Sequence, residues 1–92
     1  MGLSGLSALE NKKIAAWLKC RPIIGQPSEY ARVDDYGNVI RWQDYGTQGQ
    51  YGWEIDHIHP SSLGGLDDLS NLRALHWRAN RSLGGALGSL LR

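Results

Sequence analysis

The chain has 92 residues, of which 41% are hydrophobic and 21% are charged, and its formal net charge is +1. A typical domain has ~100–150 residues, so residues 1–92 are expected to form a single domain. Four Trp and four Tyr argue against a disordered chain. No apolar run reaches the ~18 residues that a membrane-spanning helix needs. The one cysteine, Cys20, excludes an internal disulfide and a cysteine-based zinc cluster, and we expect it to be inert.

The two ends of the chain carry further compositional signals. The N-terminus, MGLSGLSALE, lacks the basic start and apolar stretch of a signal peptide, which favours a cytoplasmic protein. The C-terminal quarter is basic, because four arginines and no acidic residue follow Asp68. On charge alone, a phosphate-binding element and a solvated basic helix face are equally good interpretations. The arginines are Arg73, Arg78, Arg81 and Arg92.

The first predicted element is a helix. Ser7 and Glu10 have the spacing of a capping box, which predicts a helix over about residues 8–19 that Pro22 ends. Residues 1–6 are expected to fray. The apolar stripe of the helix consists of Leu9, Ile14, Ala16, Trp17 and Leu18.

A β-hairpin is predicted next. Residues 20–29 contain two prolines and a glycine and are expected to form a loop. Strands are predicted at 30–34 and 39–43, on either side of a turn at Tyr36-Gly37-Asn38. A glycine-rich loop follows over residues 44–52.

The second half predicts a strand, a short extended piece and a helix. Pro60 stops the strand, and Gly84-Gly85 end the helix. Because Phe is absent, the four tryptophans are assigned to the core, and the tail is expected to fray. The predicted strand is 53–59, the turn-rich loop 61–70, the extended piece 72–75, the helix 76–83 and the tail 86–92; the tryptophans are Trp17, Trp42, Trp53 and Trp77.

Side chains able to do chemistry concentrate between residues 54 and 80. His76 and Asn80 are four apart on the predicted helix, so they share a face and can meet one ion. Asp56 can add a carboxylate from the strand. This oxygen-rich set with one imidazole suits Mg²⁺ or Mn²⁺ and tolerates Ni²⁺, Co²⁺ or Zn²⁺. The full set is Glu54, Asp56, His57, His59, Asn71, His76 and Asn80, of which Glu54 is expected to be a surface residue.

His57 is a candidate general base, because an imidazole with an ordinary pKa of ~6.5 can accept a proton from water. Its second ring nitrogen then needs an acceptor, such as a carbonyl of the loop before residue 72. Asn71 is suited to pin that loop, since its amide can bridge two backbone groups. Neighbours in a regular strand point to opposite faces, so Asp56 and His57 reach one site only if the strand bends, bulges or ends there.

The ordered motifs of this region resemble an HNH endonuclease domain of the small bacterial or phage type. They are Trp53-Glu54-Ile55-Asp56-His57-Ile58-His59-Pro60, Gly64-Gly65, Asn71-Leu72, Leu75-His76-Trp77 and Asn80-Arg81-Ser82, which together cover residues 53–84. The resemblance implies an α+β fold with a ββα-metal (His-Me finger) core around one divalent cation. Here an N-terminal helix and a β-hairpin precede that core.

The resemblance also implies roles for individual residues. His57 is the base that activates water, and Asn71 orients the loop and the His57 ring. Asp56 and Asn80 are metal ligands, and His76 is a third ligand or a residue that supports the ligands. Apart from the resemblance, the neighbouring metal site favours Arg78 and Arg81 as phosphate contacts over solvated side chains, and His59 is expected to be structural or to face DNA. The implied activity is a weakly sequence-specific, divalent-metal-dependent DNA endonuclease, with a second copy or a larger phage or restriction assembly as a further partner.

The chain departs from the family pattern in three places, one of which is the absence of the Cys-x-x-Cys pairs that some members carry. Leu83 and Leu63 stand where lysine is frequent in such domains, which weakens the expected affinity for phosphate. Two other functions therefore stay open. One is a DNA-binding HNH module that is catalytically weak or inactive, and the other is a structural metal domain that acts through a protein partner.

Overall fold

The described part of the chain is residues 5–59 and 68–83 of a computed structural model. In those ranges it is a small α+β structure with two α-helices, two short 3-10 helices and five strands. Most of the residues predicted to fray, together with Pro60, Leu63 and Gly64-Gly65, lie outside the described residues. The helices are α1 (Ala8–Leu18) and α2 (Trp77–Ser82), and the strands are β1 (Arg21–Pro22), β2 (Ala31–Val33), β3 (Val39–Arg41), β4 (Trp53–His57) and β5 (Leu72–His76).

The N-terminal helix begins as predicted. The Ser7 hydroxyl accepts from the Glu10 N–H at 3.0 Å, and the Glu10 carboxylate accepts from the Ser7 N–H at 3.1 Å, which completes the capping box. The predicted apolar stripe is wrong at its ends, because Leu9 is 49% and Leu18 60% exposed. The helix packs against the body of the protein through its C-terminal half, where Ala16 and Trp17 are buried.

The predicted hairpin is present as β2 and β3, which pair antiparallel with Val33 opposite Val39. Gly37 in its turn has φ +84°, a left-handed conformation that glycine adopts without a steric penalty. Residues 20–29 are not wholly a loop, because β1 pairs with β2 and makes a three-stranded sheet.

A second sheet consists of β4 and β5, paired antiparallel with Asp56 opposite Arg73 and His57 opposite Leu72. The strand predicted at 53–59 therefore ends at His57. Because opposite residues share a face, Glu54, Asp56 and Arg73 lie on one side of the sheet. The other side faces the core, whose buried members are Ala16, Trp17, Cys20, Ile40, Trp53, Leu72 and Ala74.

Three tryptophans form the centre of that core. The rings of Trp17, Trp42 and Trp53 have centroids 5.2 to 5.7 Å apart in every pair. The Trp17 and Trp53 indoles donate to backbone carbonyls at 2.9 and 2.8 Å, so their polar atoms are satisfied. Trp77 does not belong to this cluster, which corrects its assignment to the core. Its indole donates instead to the Gly49 carbonyl at 2.7 Å.

Replacing Gly52 with alanine is expected to destabilise the protein by about 1–3 kcal/mol. A Cβ at this position would lie 2.0 Å from the Thr47 carbonyl oxygen, so the backbone must shift. The shift reaches α2, because the Gly52 carbonyl accepts from the Trp77 N–H at 3.1 Å. Thermal unfolding followed by circular dichroism measures the loss. Gly49→Ala is the matched control, since its Cβ would meet nothing closer than 3.8 Å; equal melting temperatures for the two variants would contradict the prediction.

Candidate functional site

Asn71 ties the chain that follows β4 to the turn that precedes β5. Its side-chain oxygen accepts from the His59 N–H at 2.8 Å, and its amide nitrogen donates to the His59 carbonyl at 3.0 Å. Its own carbonyl accepts from the Ile58 N–H at 2.7 Å. Asn71 is buried, so these bonds are shielded from competing water. The side-chain amide thus bridges two backbone groups, and it fixes the path of the chain directly after His57.

His57 is the last residue of β4 and still pairs in register with Leu72, so the alternation of the strand places it on the opposite side of the sheet from Asp56. It is half-buried, and its partner across the sheet is Leu72. The register therefore does not bring Asp56 and His57 to one face of β4, and a shared site requires the chain to turn at the end of the strand, which is at His57. The Asn71 bridge holds the next two residues, so the position of His57 is defined from both sides.

Asp56 is buried, with 3% of its surface exposed, and it is paired with a residue that the sequence analysis missed. Its carboxylate accepts from Arg73 Nε at 3.0 Å, and a second nitrogen of Arg73 lies 3.1 Å from the Asp35 carboxylate. Burial lowers the pKa of Arg73, but the two carboxylates more than offset it, so its pKa lies above the ordinary value. Arg73 could have been identified only from the antiparallel register of β4 and β5, which places it directly opposite Asp56.

Glu54 is not the surface residue that the sequence predicts. Its side chain is 25% exposed, and its two oxygens accept from two residues of α2. Asn80 Nδ2 donates to one oxygen at 2.8 Å, and an Arg81 guanidinium nitrogen lies 3.0 Å from the other. Glu54 was missed because its partners lie 26 and 27 residues away. A usable signal is its spacing of two from Asp56, which puts both acids on one face of the strand.

Asn80 is buried, and only one end of its side-chain amide has a partner. The nitrogen is bonded to Glu54, whereas Oδ1 is buried without a hydrogen-bond partner in the described part of the chain. A buried carbonyl oxygen with no donor is unusual and calls for a ligand, an ion or a water. Because its amide nitrogen bonds to Glu54, the Asn80 side chain lies against the face of β4 that carries Glu54 and Asp56.

His76 lies elsewhere than predicted. It is the last residue of β5 and caps α2, so it does not share a helical face with Asn80. Its Nδ1 accepts from the Arg78 N–H at 3.1 Å, which leaves the proton on Nε2, and Nε2 lies 2.8 Å from the Gln50 carbonyl. Both ring nitrogens are thus occupied. Its cross-strand partner is Trp53, so it also belongs to the opposite side of the sheet from Asp56.

Residues 42–85 match the family model of the HNH endonuclease. The chain is thus similar to the HNH endonuclease family over just under half of its length. The match confirms the resemblance given by the motifs, and it contains all of β4, β5 and α2. No curated protein and no solved structure matches the chain. Members of the family are generally endonucleases that act on DNA and use a divalent metal.

The HNH segment carries oxygen donors that fit such a metal. Within residues 5–59 and 68–83, no three His, Cys, Asp or Glu side chains gather closely enough to hold an ion. The candidate donors of this segment are of another kind, the carboxylate of Asp56 and the buried amide oxygen of Asn80. Both are hard oxygen donors, the type that Mg²⁺ and Mn²⁺ prefer, and they leave room for water and substrate oxygens. The residues present therefore fit a catalytic cation better than a closed structural one.

One buried carboxylate supports the HNH segment from the hairpin. Asp34 is fully buried, and its oxygens accept from the backbone of Tyr36 and Asn38, from the Asn38 side chain and from the His76 N–H. The bond to His76 is 2.9 Å long and joins the hairpin turn to the point where β5 becomes α2. The family match begins after this residue, yet Asp34 fixes the start of the matched helix.

The residues predicted to contact DNA differ in how exposed their side chains are and in whether they already have a partner. Arg78 and His59 are exposed. Arg81 is half-exposed and already paired with Glu54. The guanidinium carbons of Arg78 and Arg81 lie 5.1 and 5.7 Å from the centre of the Trp77 ring, so α2 presents a cationic and aromatic surface. Leu83 follows directly after α2, without the positive charge that a lysine would add.

Cys20 lies in the core, apart from the candidate site. Burial raises the pKa of the Cys20 thiol to about 11, so the thiol is protonated near neutral pH, and its sulfur lies 3.5 Å from the Ala74 carbonyl. Among the helices that the structure describes, none has the length and apolarity to cross a membrane.

Proposed function

We propose that this protein is a cytoplasmic, divalent-metal-dependent DNA endonuclease of weak sequence specificity, with β4, β5 and α2 as its ββα-metal core. The observation that carries the proposal is the buried, unpartnered Oδ1 of Asn80, whose amide nitrogen bonds to Glu54 on the same face of β4 as Asp56. A hard cation is the ligand that this pair of oxygen donors suits best. The HNH family match covers both residues.

The proposed cation ligands are Asp56 and Asn80. Mg²⁺ or Mn²⁺ is the preferred ion, and Ni²⁺, Co²⁺ or Zn²⁺ is tolerated. A bound cation would supply a Lewis acid that stabilises negative charge on the scissile phosphate and on the leaving 3′ oxygen. His76 is left out of the ligand set, because both of its ring nitrogens already have partners.

His57 is proposed to act as the general base. Its neutral imidazole takes a proton from a water molecule, the water oxygen bonds to phosphorus, and the P–O3′ bond breaks. The products are a 5′-phosphate and, once the 3′ oxygen takes up a proton, a 3′-hydroxyl. Asn71 contributes by holding Ile58 and His59, which keeps His57 at the end of the strand.

DNA binding is assigned to the surface of α2 and to the residues after β4. Arg78 is the stronger phosphate contact, since it is exposed and has no carboxylate partner in the described region. Arg81 reaches phosphate only if its ion pair with Glu54 breaks. His59 is exposed, and its backbone is held by Asn71. Phosphate contacts carry no sequence information, which is why weak specificity is expected.

A second candidate is a DNA-binding HNH module that cleaves weakly or not at all. Arg73 favours it, because this residue already neutralises Asp56 and a cation must share that carboxylate. Leu83 favours it as well, since no lysine follows the helix. Such a module would bind DNA and leave its phosphodiester bonds intact.

The test is the conversion of supercoiled plasmid to nicked circles, with EDTA or with Mg²⁺, Mn²⁺ or Ni²⁺. Nicking is the expected product of one site, and linear DNA requires a second copy on the other strand. Asn80→Ala, purified in the same way, is expected to lose the cation-dependent nicking because it lacks the Oδ1 ligand. Equal nicking by this variant would indicate a contaminant or a different metal site. DNA binding by the folded wild type without nicking in any metal would support the second candidate.

A further inference from the structure

The orientation of the Asn80 side chain is fixed by its neighbour rather than by its own helix. Its Nδ2 donates to the Glu54 carboxylate at 2.8 Å. A carboxylate oxygen only accepts, so the amide nitrogen must face Glu54 and the carbonyl oxygen must lie at the other end. That oxygen is the one that is buried without a partner in the described ranges. The contact with Glu54 therefore decides which Asn80 atom is left for a ligand.

Glu54 is itself held in place. One of its oxygens accepts from Asn80, and the other lies 3.0 Å from an Arg81 guanidinium nitrogen. Each oxygen thus has a donor, and the charge of the carboxylate is balanced by an arginine. A carboxylate whose two oxygens both have donors can orient a metal ligand, but it is poorly suited to bind the metal itself.

The strand places this arrangement beside Asp56. Glu54 and Asp56 are two residues apart on β4, which puts their side chains on the same face at ~7 Å along the strand. Asn80 bonds to the first of them, so its amide lies over the face that carries the second. A cation that binds Asp56 and Asn80 would occupy this face, with Glu54 outside the set of direct ligands.

We propose that Glu54 is a positioning residue for the cation site. By holding the amide nitrogen of Asn80, Glu54 turns that side chain so that Oδ1, and not the nitrogen, faces the space beside Asp56. The inference rests on the proposed metal site, and nothing in the family match assigns a role to Glu54. Partners that orient metal ligands in this way typically change metal affinity ~10–100-fold when they are removed. A merely structural bridge between β4 and α2 would change stability and leave cation affinity unchanged.

The first experiment is titration calorimetry with Mn²⁺ as the only added ligand. Glu54→Ala is expected to bind Mn²⁺ ~10–100-fold more weakly than the wild type. Glu54→Gln keeps an oxygen that can accept from Asn80, so its affinity should lie nearer to the wild type than to Glu54→Ala. Glu29→Ala is the charge-matched control, because Glu29 is exposed on a groove beside α1, and it should bind as the wild type does.

Equal affinity of Glu54→Ala and the wild type would overturn the inference. An equal loss in Glu54→Gln and Glu54→Ala would also overturn it, because the charge of Glu54 and not its hold on Asn80 would then matter. Failure of the wild type to bind Mn²⁺ is a different result, since it would remove the proposed metal site itself.

A second experiment tests the positioning in the cation-free protein. Nuclear magnetic resonance of the Asn80 side-chain amide should show slow exchange with water in the wild type, because the group is buried and bonded. In Glu54→Ala this exchange should accelerate and the resonances should move, while circular dichroism shows that the protein is folded. Unchanged Asn80 amide signals would overturn the inference whether or not the protein binds Mn²⁺.

Discussion

Replacing His57 with alanine is expected to slow cation-dependent plasmid nicking by ~10²–10⁴-fold, the usual contribution of a general base. The proposed cation ligands, Asp56 and Asn80, remain in place, so Mn²⁺ affinity should be nearly unchanged. The rate is measured under single-turnover conditions, with the protein in excess over plasmid. His59→Ala is the matched control, because its side chain is exposed and Asn71 holds only its backbone. We expect its rate to fall far less than that of His57→Ala, as for a removed phosphate contact.

Chemical rescue separates a missing base from a disturbed site. His57 is half-buried at the end of β4, so its truncation leaves a space that free imidazole can enter. Added imidazole is expected to restore part of the nicking by His57→Ala and none of that lost in Asn80→Ala. A His57→Ala protein that keeps more than a tenth of the wild-type rate would show that another group activates the water.

The elements defined by local signals were predictable from the sequence. The capping box of Ser7 and Glu10 and the hairpin turn at Gly37 each need only a few neighbouring residues, and both are present. The capping box and the turn follow from side-chain chemistry and backbone preference at one place in the chain. The bridging role of Asn71 was predictable from what an amide can bond, but its partner His59 was not, because it lies 12 residues away.

The features that were missed depend on residues far apart in the sequence. His76 is paired with Trp53 in the sheet, and this long-range register, not helical spacing, decides where its ring lies. Glu54 is held against the protein by a hydrogen bond from Asn80, which is 26 residues away. Arg73 reaches Asp56 only because the strands pair in this register. The predicted pattern of helices and strands implies that long-range contacts exist, but it does not identify the residues that make them.

Replacing Asp34 with alanine is expected to destabilise the protein by at least ~3 kcal/mol. Hydrogen bonds to a charged acceptor contribute ~1.5–3 kcal/mol each, and Asp34 accepts several of them. The residue is fully buried, so the donors it leaves behind cannot all turn to water. For a domain of this size the loss corresponds to a melting temperature lower by more than ~10 °C. The measurement is urea unfolding followed by tryptophan fluorescence.

Asp35→Ala is the control for Asp34→Ala, because it removes the neighbouring acid from the same turn. The Asp35 side chain is 56% exposed, and its ion pair with Arg73 is at the surface, so the expected cost is at most ~1 kcal/mol. Asp34→Ala should also weaken nicking at temperatures where it is still folded, since the His76 N–H at the start of α2 loses its acceptor. Similar unfolding midpoints for the two variants would mean that the hairpin turn holds its shape, and keeps α2 in place, without the buried carboxylate.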